Sequence, residues 1–307
     1  MKSSKSPLVS VIIATYKRPI MLKRAIDSVL NQTYEKIEVI VVDDNDPDTQ
    51  YRKKTELLMA NYVSHSNVKY IRHPKNINGA AARNTGIKNC SGDFVCFLDD
   101  DDWYLPEKTK KQVDYLMEHH EYNAVYCGWE RNEKNFTPTK KGDLSFGLLS
   151  GTNLVFTNTI MMKKDAAINC GGWDARFRRN QEAVFLLKYF KSGYKMGVVN
   201  EILVKFDTSD RSNASNPQKN EEDFDFYLKM HEEQINAWDA KYRNGKKIIY
   251  SFRYRGVLLN YIKTKEYKGA LKLYLKMMKY IPLRFNSDMF IYIKNRIFRN
   301  NSHAEDC

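Results

Sequence analysis

The feature that most constrains the fold of this chain is a short apolar run that ends in four consecutive aspartates. Residues 94–98 (FVCFL) are apolar and strand-forming, and residues 99–102 are all Asp. A continuous apolar run of this length is typical of a buried strand in a parallel sheet. Open α/β sheets bind their ligands outside the carboxyl ends of the strands. The aspartates are therefore predicted to lie at the ligand-binding edge of such a sheet.

The spacing of these aspartates favours a divalent cation. Four adjacent carboxylates repel one another unless a cation neutralises them, and hard oxygen ligands suit Mg²⁺, Mn²⁺ or Ca²⁺ rather than zinc. In extended backbone Asp99 and Asp101 would project to one side, and Asp100 and Asp102 to the other. The alternative is a solvated acidic turn. Residues 103–107 (WYLPE) argue against that alternative, because aromatic bulk and a proline suited to a helix start follow the acidic run.

Strand and helix patterns alternate before the aspartates. The strand patterns cover residues 9–13, 37–42 and 68–71. The helical patterns cover residues 20–31 and a segment that continues from the second strand to about residue 62. This β-α-β-α order predicts a parallel sheet with right-handed crossovers.

Later segments complete the predicted sheet. Further strand patterns cover residues 123–129, 152–162 and 195–206, whereas residues 130–150 are polar and irregular. A helix rich in small residues lies between the third strand and the aspartates. Asn78 can cap this helix, Arg83 lies near its middle, and Gly86 indicates close packing on the sheet.

Taken in order, these segments resemble the family 2 glycosyltransferases, which are inverting, sugar-nucleotide-dependent enzymes of the GT-A fold. The resemblance rests on the D-x-D motif, the pattern A-R-N-x-G, the G-G-W-D element at residues 171–174 and their order, and it covers about residues 8–206. It implies an α/β fold of the GT-A type, with a mostly parallel central sheet flanked by helices and a C-terminal helical extension.

The resemblance also implies the residues that bind the nucleotide-sugar. Asp44 would contact the base, and a tyrosine ring offers a flat face for stacking. The alternative for Asp43 and Asp44 is simple turn chemistry. The residues assigned to the nucleotide pocket from the first strand and the turn after it are Ala14, Thr15, Tyr16 and Arg18.

Further roles implied by the resemblance belong to the acidic motif. Asp99 and Asp100 would contact the nucleotide-sugar, and Asp101 with Asp99 would hold Mg²⁺ or Mn²⁺ on the diphosphate. Arg83 would lie by the acidic motif or the pyrophosphate. An arginine that only holds carboxylates in place, without touching substrate, is the alternative for Arg83.

The catalytic base implied by the resemblance is Glu182. An acceptor hydroxyl must lose its proton as it attacks the anomeric carbon, and a carboxylate near a helix start can take that proton. The sequence departs from the family pattern in two ways: Glu replaces the usual Asp, and Ala183 and Val184 replace a Trp and an acidic residue. The alternative is that Glu182 only favours the helix dipole.

The composition indicates where the protein works. The chain has five cysteines without a C-x-x-C pair, which argues against a disulfide framework or a zinc site and favours a reducing cytoplasm. No stretch approaches the 18 or so apolar residues that a membrane-spanning helix needs. The apolar run near the N-terminus is short and lacks a convincing cleavage site, so it is interpreted as the first strand rather than as a signal peptide.

The positive charge lies in the C-terminal part of the chain. Residues 241–300 hold 16 Lys or Arg against two acidic residues, a net of +14, so the rest of the chain carries 13 − 14 = −1. Two hypotheses follow: helices that pack on the catalytic domain with a solvated cationic face, or a peripheral contact with an anionic membrane on the inner face of the cell membrane. Nucleic-acid binding is not expected, because no nucleic-acid motif accompanies the charge.

These patterns predict three parts of the chain. Residues 1–206 form the GT-A catalytic domain, residues 207–221 a flexible polar loop or lid, and residues 222–307 a basic helical extension. Long polar loops are either linkers or active-site lids. We expect a lid in which Arg211 reaches the diphosphate.

The predicted function is transfer of a sugar from a nucleotide diphosphate donor, a UDP-sugar, to a hydroxyl of a cell-envelope glycan or lipid-linked acceptor. One alternative is a sugar nucleotidyltransferase, although residues 14–19 lack the Gly-rich loop expected after the first strand of such an enzyme. The other alternative is a nucleotide-sugar or membrane-binding module that has lost catalysis.

Overall fold

The computed structural model describes residues 6–209 and 216–301, with side chains placed through Lys294. The chain divides into two units. The first comprises Met1–Ser145 and Val155–Arg211, and the second comprises Phe146–Leu154 and Ser212–Cys307.

A mixed sheet of nine strands forms the centre of the first unit within the described residues. The strands are β1 (Val9–Thr15), β2 (Ile37–Asp43), β3 (Val68–Arg72), β4 (Phe94–Asp99), β5 (Trp103–Tyr104), β6 (Ala124–Arg131), β7 (Lys134–Phe136), β8 (Met161–Lys163) and β9 (Met196–Phe206). Their order is β3-β2-β1-β4-β8-β6-β9-β5, and β7 pairs with β6. The strands β3, β2, β1 and β4 run parallel, as predicted, whereas β8 lies antiparallel between β4 and β6.

Helices flank this sheet and make up most of the second unit. They are α1 (Pro19–Leu30), α2 (Gln50–Ala60), α3 (Gly79–Asn89), α4 (Lys108–Glu118), α5 (Ser145–Ser150), α6 (Lys164–Asn169), α7 (Gln181–Lys191), α8 (Pro217–Met230), α9 (Glu232–Lys241), α10 (Gly245–Lys263), α11 (Tyr267–Tyr280) and α12 (Pro282–Asn301). The central strands β1, β2 and β4 are buried along almost their whole length, as expected for strands covered on both faces.

Helix α3 lies against β1 for the reason that its small residues predict. The Oδ1 atom of Asn78 accepts a hydrogen bond from Ala81 N at 3.0 Å, which caps the helix. A Cβ atom added at Gly86 would lie 2.3 Å from Ile12 Cγ2. The helix can therefore approach the sheet this closely only because residue 86 has no side chain.

Two sequence-based element boundaries are wrong. A strand was expected over residues 152–162, but Thr157–Thr159 form a 3₁₀ turn and the strand begins at Met161. The reason is tertiary, since the Asn158 side chain in this turn binds the acidic end of β4. Residues 130–150, expected to be irregular, contain β7 and α5.

The polar segment after β9 is shorter than the predicted span of 207–221. Helix α8 begins at Pro217, and the Oδ1 atom of Asn216 accepts hydrogen bonds from Gln218 N at 2.9 Å and Lys219 N at 3.3 Å. A proline in the first helical position and an asparagine before it are strong start signals. Arg211 lies outside the described residues.

The second unit is helical, and helix α11 buries only part of the apolar face that its sequence indicates. The apolar residues at helical spacing are Tyr267, Leu271, Tyr274, Met278 and Ile281. Tyr267 and Leu271 are 64% and 60% exposed, whereas Ile281 is 2% exposed. The buried residues of α11 are Ala270, Leu273 and Met277. In the described ranges no helix combines the length and the hydropathy of a membrane-spanning segment.

Candidate active site

The acidic run turns at the carboxyl end of β4: Asp99 is the last residue of the strand, and Asp100 and Asp101 form a turn. Strand β4 ends at Asp99, and Asp102 N donates a hydrogen bond to Asp99 O at 3.2 Å. The predicted alternation of the four side chains is therefore wrong for Asp102. Asp99, Asp101 and Asp102 line one cavity of about 220 Å³, whereas Asp100 is not among its lining residues.

Asp100 connects the acidic turn to the end of β1. Its carboxylate accepts hydrogen bonds from Thr15 Oγ1 at 2.8 Å, Tyr16 N at 3.0 Å and Arg18 Nη1 at 3.2 Å. Burial raises the pKa of Asp100 to about 7, against the opposing charge of Arg18. These contacts place Thr15, Tyr16 and Arg18 beside the acidic motif, and Ala14 is the register partner of Asp99.

The turn after β1 is held in an uncommon backbone conformation. Lys17 has a φ of 63°, which few residues other than glycine adopt. Its N–H donates to Asn45 Oδ1 at 2.9 Å, and its Nζ lies 4.8 Å from the centre of the Tyr16 ring. Tyr16 is 39% exposed, so one part of its ring remains available to a ligand.

Arg18 also reaches the metal-binding candidate in the acidic turn. Its Nη1 atom lies 3.1 Å from Asp101 Oδ2. Burial and the nearby charge of Asp99 raise the pKa of Asp101. The positive charge of Arg18 partly offsets the repulsion between the carboxylates of Asp99 and Asp101.

Arg83 joins the acidic motif to the start of α7. Its Nη2 atom donates to Asp99 Oδ1 at 2.5 Å and its Nη1 atom to Gln181 Oε1 at 2.9 Å. The guanidinium lies 4.7 Å from the Trp173 ring centre. The side chain of Asn84, the next residue of α3, accepts from Trp173 N and donates to Trp173 O, both at 2.8 Å. Helix α3 therefore fixes both the acidic motif and the G-G-W-D element.

Asp102 is held by residues that the sequence analysis did not identify. Asn158 Nδ2 donates to Asp102 Oδ2, and Asn158 Oδ1 accepts from Asp99 N at 2.8 Å. Asp207 N donates to Asp102 Oδ1 at 2.8 Å. Burial, together with the charges of Asp101 and Asp99, raises the pKa of Asp102 to about 9. The signal that could have found Asn158 is an asparagine inside a predicted strand, because a buried polar side chain needs a hydrogen-bonding partner.

Asp207 also lines the cavity, and its carboxylate is paired with Arg24. Arg24 Nη2 donates to Asp207 Oδ2 at 2.5 Å, and its guanidinium lies 4.1 Å from the Trp103 ring centre. Burial opposes ionisation of Asp207, but hydrogen bonds from Ser209 and Arg24 outweigh it and hold its pKa at about 2. The signal that could have found Asp207 is the one used for Asp44, a carboxylate at the end of a strand.

Glu182 lines the same cavity from the first turn of α7. Asn180, the residue before α7, has a φ of 55°, so the chain turns sharply into the helix. The cavity is completed by a cation, Arg131, whose guanidinium lies 4.5 Å from the Phe206 ring centre. Carboxylates from β4, the end of β9 and the start of α7 thus meet around one space.

Asp44 directly follows β2 and is not among the residues that line this cavity. Its carboxylate lies 2.7 Å from His73 Nδ1 and accepts hydrogen bonds from Asn76 Nδ2 at 2.8 Å and Ile77 N at 3.0 Å. Burial raises the pKa of Asp44 despite these contacts. Its own N–H donates to Thr15 O at 3.0 Å, so Asp44 lies next to the turn after β1.

The donor set at the acidic turn fits a divalent cation. Asp99 and Asp101 face one cavity, and a cation between them would offset the repulsion that raises the pKa of Asp101. Over residues 6–209 and 216–301, no three His, Cys, Asp or Glu side chains are grouped so that they could hold a metal ion by themselves. Mg²⁺ commonly takes one or two carboxylates and completes its shell with substrate phosphates and water.

A family model for glycosyl transferase family 2 matches residues 10–193, which include the cavity residues from Asp99 to Glu182 but not Phe206 and Asp207. The chain belongs to glycosyl transferase family 2. This confirms the resemblance that the D-x-D and G-G-W-D motifs carry.

Relatives of this family 2 member come from several bacteria and an archaeon. A Haemophilus influenzae protein described as an uncharacterized glycosyltransferase is 31% identical over 164 residues, which are 52% of this chain and 64% of that protein. An uncharacterized glycosyltransferase of Methanocaldococcus jannaschii is 28% identical over 233 residues, 73% of this chain and 79% of that protein. The amylovoran biosynthesis glycosyltransferase AmsB of Erwinia amylovora is 27% identical over 209 residues, 64% of this chain and 68% of AmsB.

The fold is shared with solved structures of TarS from S. aureus. The complex of TarS 1-349 with UDP-GlcNAc superposes with a TM-score of 0.60 at 18% identity, covering 83% of this chain and 73% of that chain. The predicted GT-A fold, with its mostly parallel sheet and C-terminal helices, is thereby confirmed.

Proposed function

We propose that this family 2 member transfers a sugar from a nucleotide diphosphate donor to an acceptor hydroxyl, with inversion at the anomeric carbon. The observation that carries the proposal is that Asp99 and Asp101, at the sheet edge, share one cavity with Glu182, at the start of α7. A single displacement requires that the carboxylates that bind the donor and the base that activates the acceptor line the same cavity.

The donor side of the proposal uses the acidic motif and the turn after β1. Asp101 and Asp99 would hold Mg²⁺ or Mn²⁺, which supplies charge stabilisation to the departing diphosphate when bound. Thr15, Tyr16 and Asp44 would take the nucleoside, with Ala14, Arg18 and Asp100 shaping that pocket. A UDP-sugar donor is supported by the TarS structures, which contain UDP-GlcNAc and UDP.

Arg83 acts in this proposal as a positioning residue. Its guanidinium is occupied by Asp99 and by Gln181, the residue before Glu182. It would hold Asp99, which binds the donor, at a fixed distance from the base Glu182. Arg211 remains a proposed diphosphate contact from the segment after β9.

On the acceptor side, Glu182 would accept the proton of the attacking hydroxyl. As the acceptor oxygen forms its bond to the anomeric carbon, the bond from that carbon to the diphosphate oxygen breaks and the nucleoside diphosphate leaves with its electron pair. The acceptor would be a cell-envelope glycan or a lipid-linked sugar, supported by the name of AmsB as an amylovoran biosynthesis enzyme. Contact of residues 241–300 with an anionic membrane belongs to the same proposal.

The test of the proposal is a comparison of Glu182→Gln with a matched control. Removing a general base costs about 100- to 10,000-fold in rate, while the isosteric amide should leave donor affinity almost unchanged. The control is Glu201→Gln, whose carboxylate pairs with Lys111 on the surface of the same unit.

Release of nucleoside diphosphate from a panel of sugar nucleotides, and transfer to acceptor, would be measured for both variants. Wild-type transfer by Glu182→Gln would mean that another group is the base. Release of pyrophosphate from a nucleoside triphosphate by the wild-type protein would instead identify a nucleotidyltransferase.

A further inference from the structure

The outer face of helix α11 carries apolar and basic rows side by side. Tyr267, Leu271 and Leu275, spaced four residues apart, are 64%, 60% and 58% exposed. Lys268 and Lys272 follow the first two by one residue and are also exposed. Residues four apart on a helix lie on one side of it, so the two rows run next to each other. The inward side of α11 is filled by Ala270, Leu273 and Met277, and among the described residues of this unit the two rows remain exposed.

Helix α12 also carries exposed apolar residues. Leu283, Phe290 and Ile293 are 87%, 69% and 48% exposed, and their spacing of seven and three residues places them on one side of the helix. Scattered single apolar residues are normal on protein surfaces, but aligned rows of large ones mark a site of interaction.

A cleft of about 490 Å³ lies in the same unit, where α11 passes into α12. Its apolar lining includes Tyr280, Pro282 and Leu283, and its basic residues are Lys247 and Arg284. Lys247 belongs to the first turn of α10, where backbone N–H groups favour negative charge. The cleft therefore combines apolar walls with positive charge.

Two basic residues of this region, Arg284 and Lys276, are paired with acidic residues, whereas Lys268 and Lys272 are exposed. Residues 241–300 contain only two acidic residues, Glu266 and Asp288. Asp288 is 4% exposed, and its carboxylate accepts hydrogen bonds from Ser251 Oγ at 2.6 Å and Arg284 Nε at 2.8 Å. Lys276 is paired with acidic residues of α8, Glu221 at 3.3 Å among them, and is not counted in the exposed basic row.

From these observations we propose that the outward face of α11, together with exposed apolar residues of α12 and the cleft at Lys247, docks on an anionic lipid bilayer. The apolar rows would enter the boundary between headgroups and acyl chains while the lysines contact lipid phosphates. A second copy of the chain fits less well, because an interface between two such surfaces would bring two sets of lysines together with few acidic residues to pair with them. The inference deepens the proposed function, since a lipid-linked acceptor would lie at the same bilayer.

Vesicle flotation of the full chain tests this proposal. Vesicles of phosphatidylcholine alone would be compared with vesicles that also contain phosphatidylglycerol, at low and high salt. Lys268→Gln/Lys272→Gln should bind the anionic vesicles about 30-fold more weakly, from about 1 kcal/mol per basic residue near such a surface. The matched control is Lys53→Gln/Lys54→Gln on α2, which removes the same charge from exposed positions of the other unit and should bind as wild type.

The apolar contribution needs its own pair of variants. Leu271→Ser/Leu275→Ser should weaken binding to anionic vesicles at high salt, where charge is screened, by at least tenfold. The control Leu57→Ser replaces a leucine that is 73% exposed on α2 and should have no effect.

Three results would overturn the proposal: no binding to anionic vesicles, equal losses in the α11 variants and their controls, or equal binding to neutral vesicles with no effect of the lysine changes. Sedimentation velocity tests whether a second copy of the chain covers this surface instead of a bilayer. A concentration-dependent dimer that is lost in Leu271→Ser/Leu275→Ser would identify a second copy. Vesicle binding does not depend on sugar transfer. Absence of nucleoside diphosphate release would therefore contradict the proposed function without affecting this result.

Discussion

Replacing Arg83 by lysine tests whether α3 controls the geometry of the active site. The guanidinium makes two hydrogen bonds, to Asp99 at 2.5 Å and to Gln181 at 2.9 Å, and lies over Trp173. A lysine keeps the positive charge but cannot span both acceptors, because it lacks the planar fork of arginine. One hydrogen bond involving a charged group is therefore lost, which is worth about 1.5–3 kcal/mol.

This loss should appear in catalysis as well as in stability. If it is expressed in the transition state, kcat/KM falls by about 10- to 150-fold, since 1.36 kcal/mol corresponds to a factor of ten. Steady-state release of nucleoside diphosphate and transfer to acceptor would give kcat/KM, and guanidinium denaturation would give the free energy of unfolding. Arg83→Met should lose more than Arg83→Lys in both measurements, because it also leaves Asp99 without its cation.

The matched control is Arg253→Lys in the second unit. Arg253 donates from Nε to Leu149 O at 2.6 Å and lies over two aromatic rings, so its replacement also removes a planar guanidinium from a half-buried position. We expect Arg253→Lys to lower stability with little change in kcat/KM. Equal kcat/KM losses in Arg83→Lys and Arg253→Lys would refute the positioning role.

Three further predictions concern stability and the metal. Glu38 is buried, but hydrogen bonds from Lys69 and Ser10 outweigh the burial and hold its pKa below the usual 4.5; Glu38→Gln should therefore cost about 1–3 kcal/mol at neutral pH. That stabilisation is complete above the unfolded-state pKa of Glu38 and is lost as the pH falls through its lowered folded-state pKa. Denaturation curves of the wild-type protein and Glu38→Gln should therefore converge below about pH 4.5. A stability difference that does not change with pH would contradict the assignment. Gly86→Ala should destabilise by about 1–3 kcal/mol through the clash with Ile12, and adding Ile12→Ala should cost less than the sum of the single losses. Asp101→Asn, or chelation of divalent ions, should lower nucleoside diphosphate release by at least about 100-fold, whereas Asp165→Asn on α6 should not; undiminished release by Asp101→Asn would remove it from the proposed metal site.

The residues at the ends of the strands could be predicted from the sequence, because the direction of a strand fixes the edge of the sheet at which its last residues lie. The order of strands and helices predicted that Thr15, Asp44 and Asp99 follow parallel strands, and the structure places all three at one edge of the sheet. Asn78 as a cap and Gly86 as a close contact were equally predictable, because each follows from local backbone chemistry.

The contacts between distant segments could not be predicted in the same way. Asn158, Arg24 and Asp207 each reach the acidic turn from elements far along the chain, and no local pattern specifies such partners. The turn at Asp99–Asp102 also overrode the alternation of extended backbone, because Asn158 and the N–H of Asp207 hold Asp102.

The sequence by itself determined the parallel N-terminal half of the sheet and the family, since these depend on periodicity and on short motifs. The donor-side and base residues that it indicated remain predictions. Only the tertiary structure decided which carboxylates share a cavity and which faces of α11 are buried. The physical reason is that the period of the apolar residues indicates whether a segment is a helix or a strand. The rotation of that helix or strand and its long-range partners depend on which neighbours pack against it.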